Sequence, residues 1–574
     1  MNYRWTKSLS PDTELVNELK NGLGIHPTLC RLLAQREIQN FDQAKAFFRP
    51  KLENLHDPYL MKDMEKAVSR IEAAIEKNEN ILVYGDYDVD GTTAVSLLSS
   101  FLLKQYSNVD SYIPDRYKEG YGVSTQGIDY ASDNDIRLII ALDCGIKAID
   151  KVAYAKSLGI DFIICDHHRP GNSLPDAVAI LDPKRNDCTY PYDELSGCGV
   201  GFKLSQALAI KWDLAEEEYL EYLDLLAVSI GSDIVPITGE NRILAYWGLD
   251  RINKNPRPGF ELLIDLAGKK DQELSIMDVV FLLGPRINAA GRISHGKLAV
   301  SLLSGDNRAD LEEVAQKINL QNDQRKVLDK NISEEALALI KTDKEENKFS
   351  TVVYDPTWHK GVIGIVASRL IENYYRPTVV FTKSKDVLAG SARSVKGFDV
   401  YNALDACSDI LEQFGGHMYA AGMTLLEENY EAFKAKFEKV VSQNIKEEHK
   451  IPLIEVDAEL PFEEINFKFF RVLKQFGPFG PKNMAPIFKT DNLLNTGNSR
   501  AVGADKSHLR LELKDSKTGL NFIGIGFGLA NKLKILDSGK PFSIVYHLDE
   551  NHFRGKTSLQ LRVLDIKLTE MLTD

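Results

Sequence analysis

The segment Gly85-Asp86-Tyr87-Asp88-Val89-Asp90-Gly91-Thr92-Thr93 sets three carboxylates at alternating positions. Alternate side chains of an extended chain point to one side, so Asp86, Asp88 and Asp90 are expected to converge. Carboxylates that converge repel one another unless a hard cation compensates them. Two other readings suit the same residues: an acidic turn that caps a helix, or a calcium loop. The D-x-D-x-D-G start fits such a loop, but the glutamate it needs six residues after the glycine is Leu97 here. Further acids follow at a distance, namely Asp143 in ALDCGIKA, Asp166 directly before His167 and His168, and Asp233 in SIGSDIVP. Carboxylate together with imidazole suits Mn²⁺ or a mixed Mn²⁺/Mg²⁺ site better than calcium, which prefers oxygen throughout. Two adjacent histidines after a buried strand cannot both point inward, and either one taken alone is as readily a hydrogen-bonded structural residue as a ligand.

The elements around these residues predict how they meet. From about residue 64, amphipathic stretches alternate with the apolar runs ILVYG (81–85), LIIALD (138–143), FIICD (162–166) and AVAILD (177–182). Runs of this kind predict strands buried on both faces of a parallel sheet, with helices over about 92–106 and 148–159. The fold class is therefore α/β, doubly wound, and ligands of such sheets bind beyond the carboxyl ends of the strands, where the acids lie. Helical sequence continues to about residue 340, and its charged stretch 311–340 predicts a long connecting helix. A polar boundary at 341–349 precedes a second, smaller α/β unit, in which STVVYD and PTVVFTK flank GVIGIVASRLIENYY. After a boundary near 443–452, short alternating runs such as HLRLELK and SLQLRVLDIKL predict an all-β barrel. The expected division is an N-terminal extension packed on the core (1–63), a catalytic domain (64–310), a connecting helix (311–345), a substrate-binding domain (346–448) and a nucleic-acid-binding barrel (449–574).

Composition narrows the classes. The 574 residues are 44% hydrophobic and 27% charged, with no low-complexity tract, which describes several folded domains and excludes a disordered chain. No window approaches 18 consecutive apolar residues and the N-terminal segment does not read as a secretory leader, so a cytoplasmic protein without a membrane span is expected. Six cysteines without CxxC spacing argue for reduced thiols rather than a disulfide framework or a zinc ribbon. The net charge of −13 looks unfavourable for binding nucleic acid. Its distribution is informative, because residues 451–574 hold 17 Lys and Arg against 15 Asp and Glu. The acidic excess thus lies in residues 1–450, where bound cations would offset part of it.

The motifs GDYDVDGTTA, IPDRYKEGYG, LDCG, CDHHRP, GSDIVPITGENR, LLGPRINAAGRI, WHKGVIGIVASRL, GSARS, FGGHMYAAG and QFGPFGPKNMAPIF, in this order over nearly the whole chain, resemble the DHH phosphoesterase family, named for the triplet at 166–168, and within it the RecJ exonuclease branch. The resemblance implies a 5′-to-3′ exonuclease of single-stranded DNA that releases 5′-mononucleotides in repair and recombination, by hydrolysis with two divalent cations, Mn²⁺ or Mg²⁺. It implies Asp88, Asp90, Asp143, His167 and Asp233 as ligands, Asp143 bridging the ions, and Asp86 at the edge as ligand or support. Asp166 would orient a histidine or contact the metal shell, and His168 would face the scissile phosphate. In related pyrophosphatases a histidine stands four residues before the Asp88 position; here it is Tyr84, which leaves the full coordination shell open.

Gly415, Gly416 and His417 form a segment whose backbone can approach phosphate and whose imidazole can donate to it; a glycine-rich turn packed on a helix is the structural alternative. By the resemblance this segment contacts substrate, Ser391 and Arg393 form a pocket for the terminal 5′ phosphate, and Arg116 and Arg286 line the substrate passage. Arg116 read by itself is equally a solvated surface charge. In the barrel, Lys506, Arg510, Lys514, Arg554 and Arg562 alternate with apolar residues, as a backbone-tracking surface would. The family-level partners are single-stranded DNA, single-strand-binding protein and a RecQ-type helicase, with the chain expected as a monomer. The alternatives are a phosphodiesterase of short oligonucleotides or cyclic dinucleotides, and a catalytically inactive replication scaffold.

Overall fold

The apolar runs pair as strands because each offers side chains to helices on both of its faces. In the computed structural model, which describes residues 3–569, five parallel strands lie in the order Val109–Tyr112, Asn80–Gly85, Ile136–Leu142, Asp161–Cys165, Ala179–Leu181. In the Asn80–Gly85 strand, Ile81 and Val83 join one core cluster while Leu82 and Tyr84 join another on the opposite face. The chain steps from this strand to Val109–Tyr112 on one side and returns to Ile136–Leu142 on the other. Strand order therefore reverses there, and a ligand crevice is expected at the carboxyl ends. The helices Val89–Leu103, Gly197–Lys211 and Leu223–Asp233 are buried over most of their length and pack together on one face.

A 35-residue helix, Arg308–Thr342, follows. It begins three residues before the expected connector. Beyond it a second sheet has the order Gln413–His417, Ala420–Leu425, Val387–Arg393, Thr378–Ser384, Thr351–Tyr354, antiparallel except for its last pair. These elements belong with the parallel-sheet domain in one compact unit, Lys51–Lys450.

The other unit comprises Met1–Pro50 and Ile451–Asp574. Its strands Phe488–Asn495, Phe542–Phe553, Lys556–Leu568, Asn521–Gly526 and His508–Asp515 pair in that order, and the last pairs back to the first through Leu493–Asn495, closing a barrel. Here the structure departs from the expected extension 1–63. The strand Arg4–Lys7 pairs with Leu453–Val456, and Leu19, Leu29, Leu32 and Leu33 share a core with Phe469, Phe476 and Phe488 of the C-terminal region. Residues up to Pro50 thus complete the barrel unit, and only the chain from Lys51 belongs with the parallel sheet. Among the described residues no helix is long and apolar enough to cross a membrane.

Candidate active site

The acids gather at the carboxyl ends of the parallel strands, but not by the alternation that the sequence suggested. A helix begins at Val89, so Asp88 is its N-cap, accepting from the Gly91 amide at 3.0 Å, and Asp90 already lies in the first turn. The capping reading of Asp88 holds alongside any role in binding a cation. Asp143 follows its strand with φ +58 and is 2% exposed. Around His167 the side chains converge: its Nε2 lies 3.2 Å from Asp143 Oδ1, 3.6 Å from Asp233 Oδ2 and 3.7 Å from Asp90 Oδ2. Two groups have their ligand atoms all within 4.8 Å of one another, Asp143–His167–His168 and Asp90–His167–Asp233. His167 belongs to both.

This donor set fits divalent cations. His167 is 5% exposed, yet neither of its ring nitrogens has a hydrogen-bond partner. Asp86 is fully buried and both of its oxygens lack a partner of normal geometry. Burial, and then repulsion from Asp88, pushes the Asp86 carboxyl well above the usual range. Burial and the facing Asp90 do the same to Asp143 and Asp233. Buried acids that oppose one another's charge are what a cation compensates.

Asp166 differs from Asp86 because both of its oxygens are hydrogen-bonded. Its Oδ1 accepts from the His167 and His168 amides at 2.8 and 3.1 Å and lies 2.7 Å from His168 Nδ1, while Oδ2 accepts from the Ile146 amide at 2.9 Å. Burial opposes its charge, but the hydrogen bond and charge of His168 together with the Ile146 amide and His167 outweigh it and hold the carboxyl at about 2. Burial likewise opposes the His168 cation, and Asp166, with Asp233 and Asp90, overcomes this, raising the imidazole to about 9. The two histidines divide as expected: the His167 side chain is 7% exposed, that of His168 44%, with His168 Nε2 3.3 Å from the Tyr121 hydroxyl.

A cavity of about 410 Å³ lies next to the acids' segment: Tyr87, between Asp86 and Asp88 in the chain, forms part of its wall. Its wall carries Arg116, Arg292, Lys360 and Arg393 together with Ser391 and Gly415, and no carboxylate. The Arg116 guanidinium lies over the Tyr87 ring, 4.7 Å from its centroid. Burial and then the neighbouring arginines lower Arg292 to about 10, and burial and Arg116 lower Lys360. A carboxylate-free concentration of partly desolvated cations is an anion pocket, with guanidinium forks suited to phosphate.

Of the residues expected here, Arg116, Ser391, Arg393 and Gly415 line the cavity, whereas Gly416, His417 and Arg286 do not. His417 is exposed and accepts from the Tyr419 amide at 3.2 Å. Arg286 is 7% exposed and bonds Asn319 Oδ1 at 3.0 Å and Leu282 O at 2.8 Å, tying its helix to the long connector. Two lining cations, Arg292 and Lys360, were missed. Both stand inside quoted motifs, GPRINAAGRI and WHKGVIG, and a search for cations with no acidic neighbour in sequence would have raised them.

Comparison with known proteins agrees with this architecture. The DHH family N-terminal domain model matches residues 80–230, the DHHA1 domain model 346–443 and the RecJ OB domain model 456–565. The single-stranded-DNA-specific exonuclease RecJ of Bacillus subtilis is 36% identical over 562 residues, which cover 98% of this chain and 70% of that protein. The RecJ of Haemophilus influenzae is 33% identical, covering 95% of this chain and 96% of the relative. This chain belongs to the RecJ family. The crystal structure of Thermus thermophilus RecJ in complex with Mn²⁺ superposes with a TM-score of 0.84 at 26% identity, over 99% of this RecJ-family chain and 80% of that one. A second structure, exonuclease RecJ bound to manganese, gives 0.60 at 31% identity over 69% of this chain and 97% of that chain. Asp86, Asp88, Asp90, Asp143, Asp166, His167 and His168 lie within the DHH match and Asp233 just beyond its end, while Ser391, Arg393 and Gly415 lie within the DHHA1 match.

Proposed function

We propose that this RecJ-family chain is a single-stranded-DNA-specific exonuclease that hydrolyses phosphodiester bonds with two divalent cations, Mn²⁺ or Mg²⁺. The observation that carries the reading is the juxtaposition, around Tyr87, of a buried acid–histidine cluster and a carboxylate-free pocket of four cations. When bound, the cations supply Lewis-acid stabilisation of charge on phosphoryl oxygens and a water of lowered pKa. Asp88, Asp90, Asp143, His167 and Asp233 would hold them, His167 being common to both groups, with Asp86 at the edge. Asp166 orients His168 and keeps it protonated, so that Nε2 donates to the scissile phosphate. Arg116, Arg393 and Ser391, with Arg292 and Lys360, hold the terminal 5′ phosphate. Seating a terminal phosphate beside the cluster admits only the first internucleotide bond, which accounts for 5′-to-3′ action and release of 5′-mononucleotides.

The barrel supplies the longer contact with the strand. Repair and recombination, a cytoplasmic location, a monomeric state, and cooperation with single-strand-binding protein and a RecQ-type helicase complete the proposal. The test is digestion of 5′-labelled and 3′-labelled single strands and duplexes with Mn²⁺ or Mg²⁺. Early release of the 5′ label as mononucleotide from single strands is expected. Early release of the 3′ label would refute the polarity, and cleavage confined to dinucleotides or cyclic dinucleotides would favour a short-substrate phosphodiesterase.

A further inference from the structure

One carboxylate of the cluster is held unlike the others. Asp90, 1% exposed, accepts three hydrogen bonds: from the Gly197 amide to Oδ2 at 2.7 Å, from the Cys198 amide to Oδ1 at 2.9 Å and from the Ser229 hydroxyl to Oδ1 at 2.7 Å. Gly197 and Cys198 open the 15-residue helix Gly197–Lys211. The first amides of a helix have no partner within it, and that end carries partial positive charge. Asp90 thus takes the place of an anion at a helix N-terminus, and the anion is a side chain of the protein itself.

The serine protons follow by elimination. A hydroxyl has one proton, and that of Ser229 goes to Asp90. Ser196 Oγ lies 2.6 Å from Ser229 Oγ, so Ser196 donates to Ser229 while its own oxygen accepts from the Gly199 amide at 3.1 Å. The relay runs in one direction, Ser196 to Ser229 to Asp90, and both serines are fully buried. Oδ1 of Asp90 is saturated by two donors. Oδ2 keeps one lone pair, and it is the oxygen facing His167 Nε2. Gly197 serves a second acid as well: a Cβ at this position would lie 2.5 Å from Asp143 Cβ and 2.9 Å from Asp143 Cα. One residue therefore bonds Asp90 through its amide and lets Asp143 close against its bare Cα.

We infer that Ser229, with the Ser196–Cys198 turn, is a clamp that fixes Asp90 in its cation-receiving orientation and presents a single oxygen, Oδ2, to the cluster. Ser229 is a positioning residue that acts through Asp90. The inference rests on the two-cation reading above, and the experiment separates the two. Mn²⁺ alone is titrated calorimetrically into the full chain, into Ser229→Ala and Ser196→Ala, and into Ser205→Ala, another fully buried serine, which donates to Gly201 O at 3.1 Å within the same helix. The Mn²⁺ electron paramagnetic resonance spectrum is recorded alongside, and folding is checked by circular dichroism before metal is added. Loss of such an orienting contact typically weakens metal binding ~10–100-fold. Ser229→Ala is expected in that range with an altered spectrum, Ser196→Ala at a smaller factor, and Ser205→Ala at parental affinity. Equal affinity in the parent and in Ser229→Ala overturns the clamp, as does equal weakening by Ser205→Ala. Should Ser229→Ala not fold, Ser196→Ala decides, parental affinity there being the refuting result. A parent chain that takes up no Mn²⁺ refutes the metal reading first.

Discussion

Replacing Arg393 with alanine removes one of four cations from the pocket wall without touching the acid cluster. The guanidinium is held in place by its own neighbourhood, with Nη1 donating to Ala392 O at 2.8 Å and to Ser391 Oγ at 3.2 Å. Burial lowers its pKa, with Arg116 acting in the same direction, so water has already been stripped from it and a phosphate meets a prepared donor. Hydrogen bonds to charged partners contribute about 1.5–3 kcal/mol. At 1.4 kcal/mol per factor of ten this is roughly 10–150-fold. Because Arg116, Arg292 and Lys360 remain, the lower half of that range is expected. The quantity to measure is kcat/KM for a 5′-phosphorylated single strand divided by that for its 5′-hydroxyl counterpart, at fixed salt and saturating Mn²⁺. The parent should prefer the phosphate, Arg393→Ala should lose most of the preference, and Arg393→Lys, which keeps the charge but not the fork, should fall between them. An unchanged ratio in Arg393→Ala, with kcat/KM lowered equally for both ends, would refute the assignment of this cavity to the terminal phosphate.

Three further predictions follow from other parts of the chain. Asp143→Ala should abolish hydrolysis while the metal-free protein keeps or gains thermal stability, since a buried acid repelled by Asp90 and Asp88 is removed; near-parental turnover in Mn²⁺ would contradict this. Mn²⁺ at a hundredfold excess over its Kd should stabilise the folded chain by about 2.7 kcal/mol, seen as a rise in Tm that EDTA reverses and Asp143→Ala lacks. Lys203→Met should destabilise the Lys51–Lys450 unit by about 3–5 kcal/mol, because Lys203 Nζ lies 2.7 Å from Glu240 Oε1 with both side chains at most 1% exposed. The double variant Lys203→Met/Glu240→Leu should recover part of that loss in chemical denaturation, and a loss equal to the sum of the single ones would show that the two charges are not coupled.

Much of this was legible in the sequence because strands buried on both faces write continuous apolar runs, and four of the five parallel strands do so. The fifth, Val109–Tyr112, reads VDSY and is only partly buried. It is an edge strand with no apolar signature, so periodicity could not find it. The convergence of the acids was foreseen from strand ends, but its cause was not. Extended alternation fails once the helix starts at Val89, and Asp90 is instead turned towards His167 by amides more than 100 positions away in sequence. Such partners are backbone groups, which have no residue type to read. The same holds for the N-terminal 50 residues, whose helices show ordinary apolar faces that do not say which core they fill. The family resemblance named Arg116, Ser391 and Arg393 where spacing could not. It offered Arg286 as well, whereas the cavity takes its neighbour in the motif, Arg292.

The acid cluster and the cation pocket are opposite charges in one unit, yet they do not neutralise each other. Among the described residues no ion pair joins Arg116, Arg292 or Arg393 to Asp86, Asp88, Asp90 or Asp143. The reason is visible at Tyr87, whose backbone lies between Asp86 and Asp88 while its ring takes the face of the Arg116 guanidinium at 4.7 Å. A cation held over an aromatic face keeps its charge and leaves its N–H edges free for an anion. The ring thus occupies Arg116 without cancelling its charge. Had the arginines paired with the acids, the fold would have gained stability and lost both sites, because a paired carboxylate resists a divalent cation and a paired guanidinium resists a phosphate. Keeping the two sets apart leaves each unbalanced until its own counter-ion arrives, which under the proposed function is metal for the acids and a terminal phosphate for the arginines.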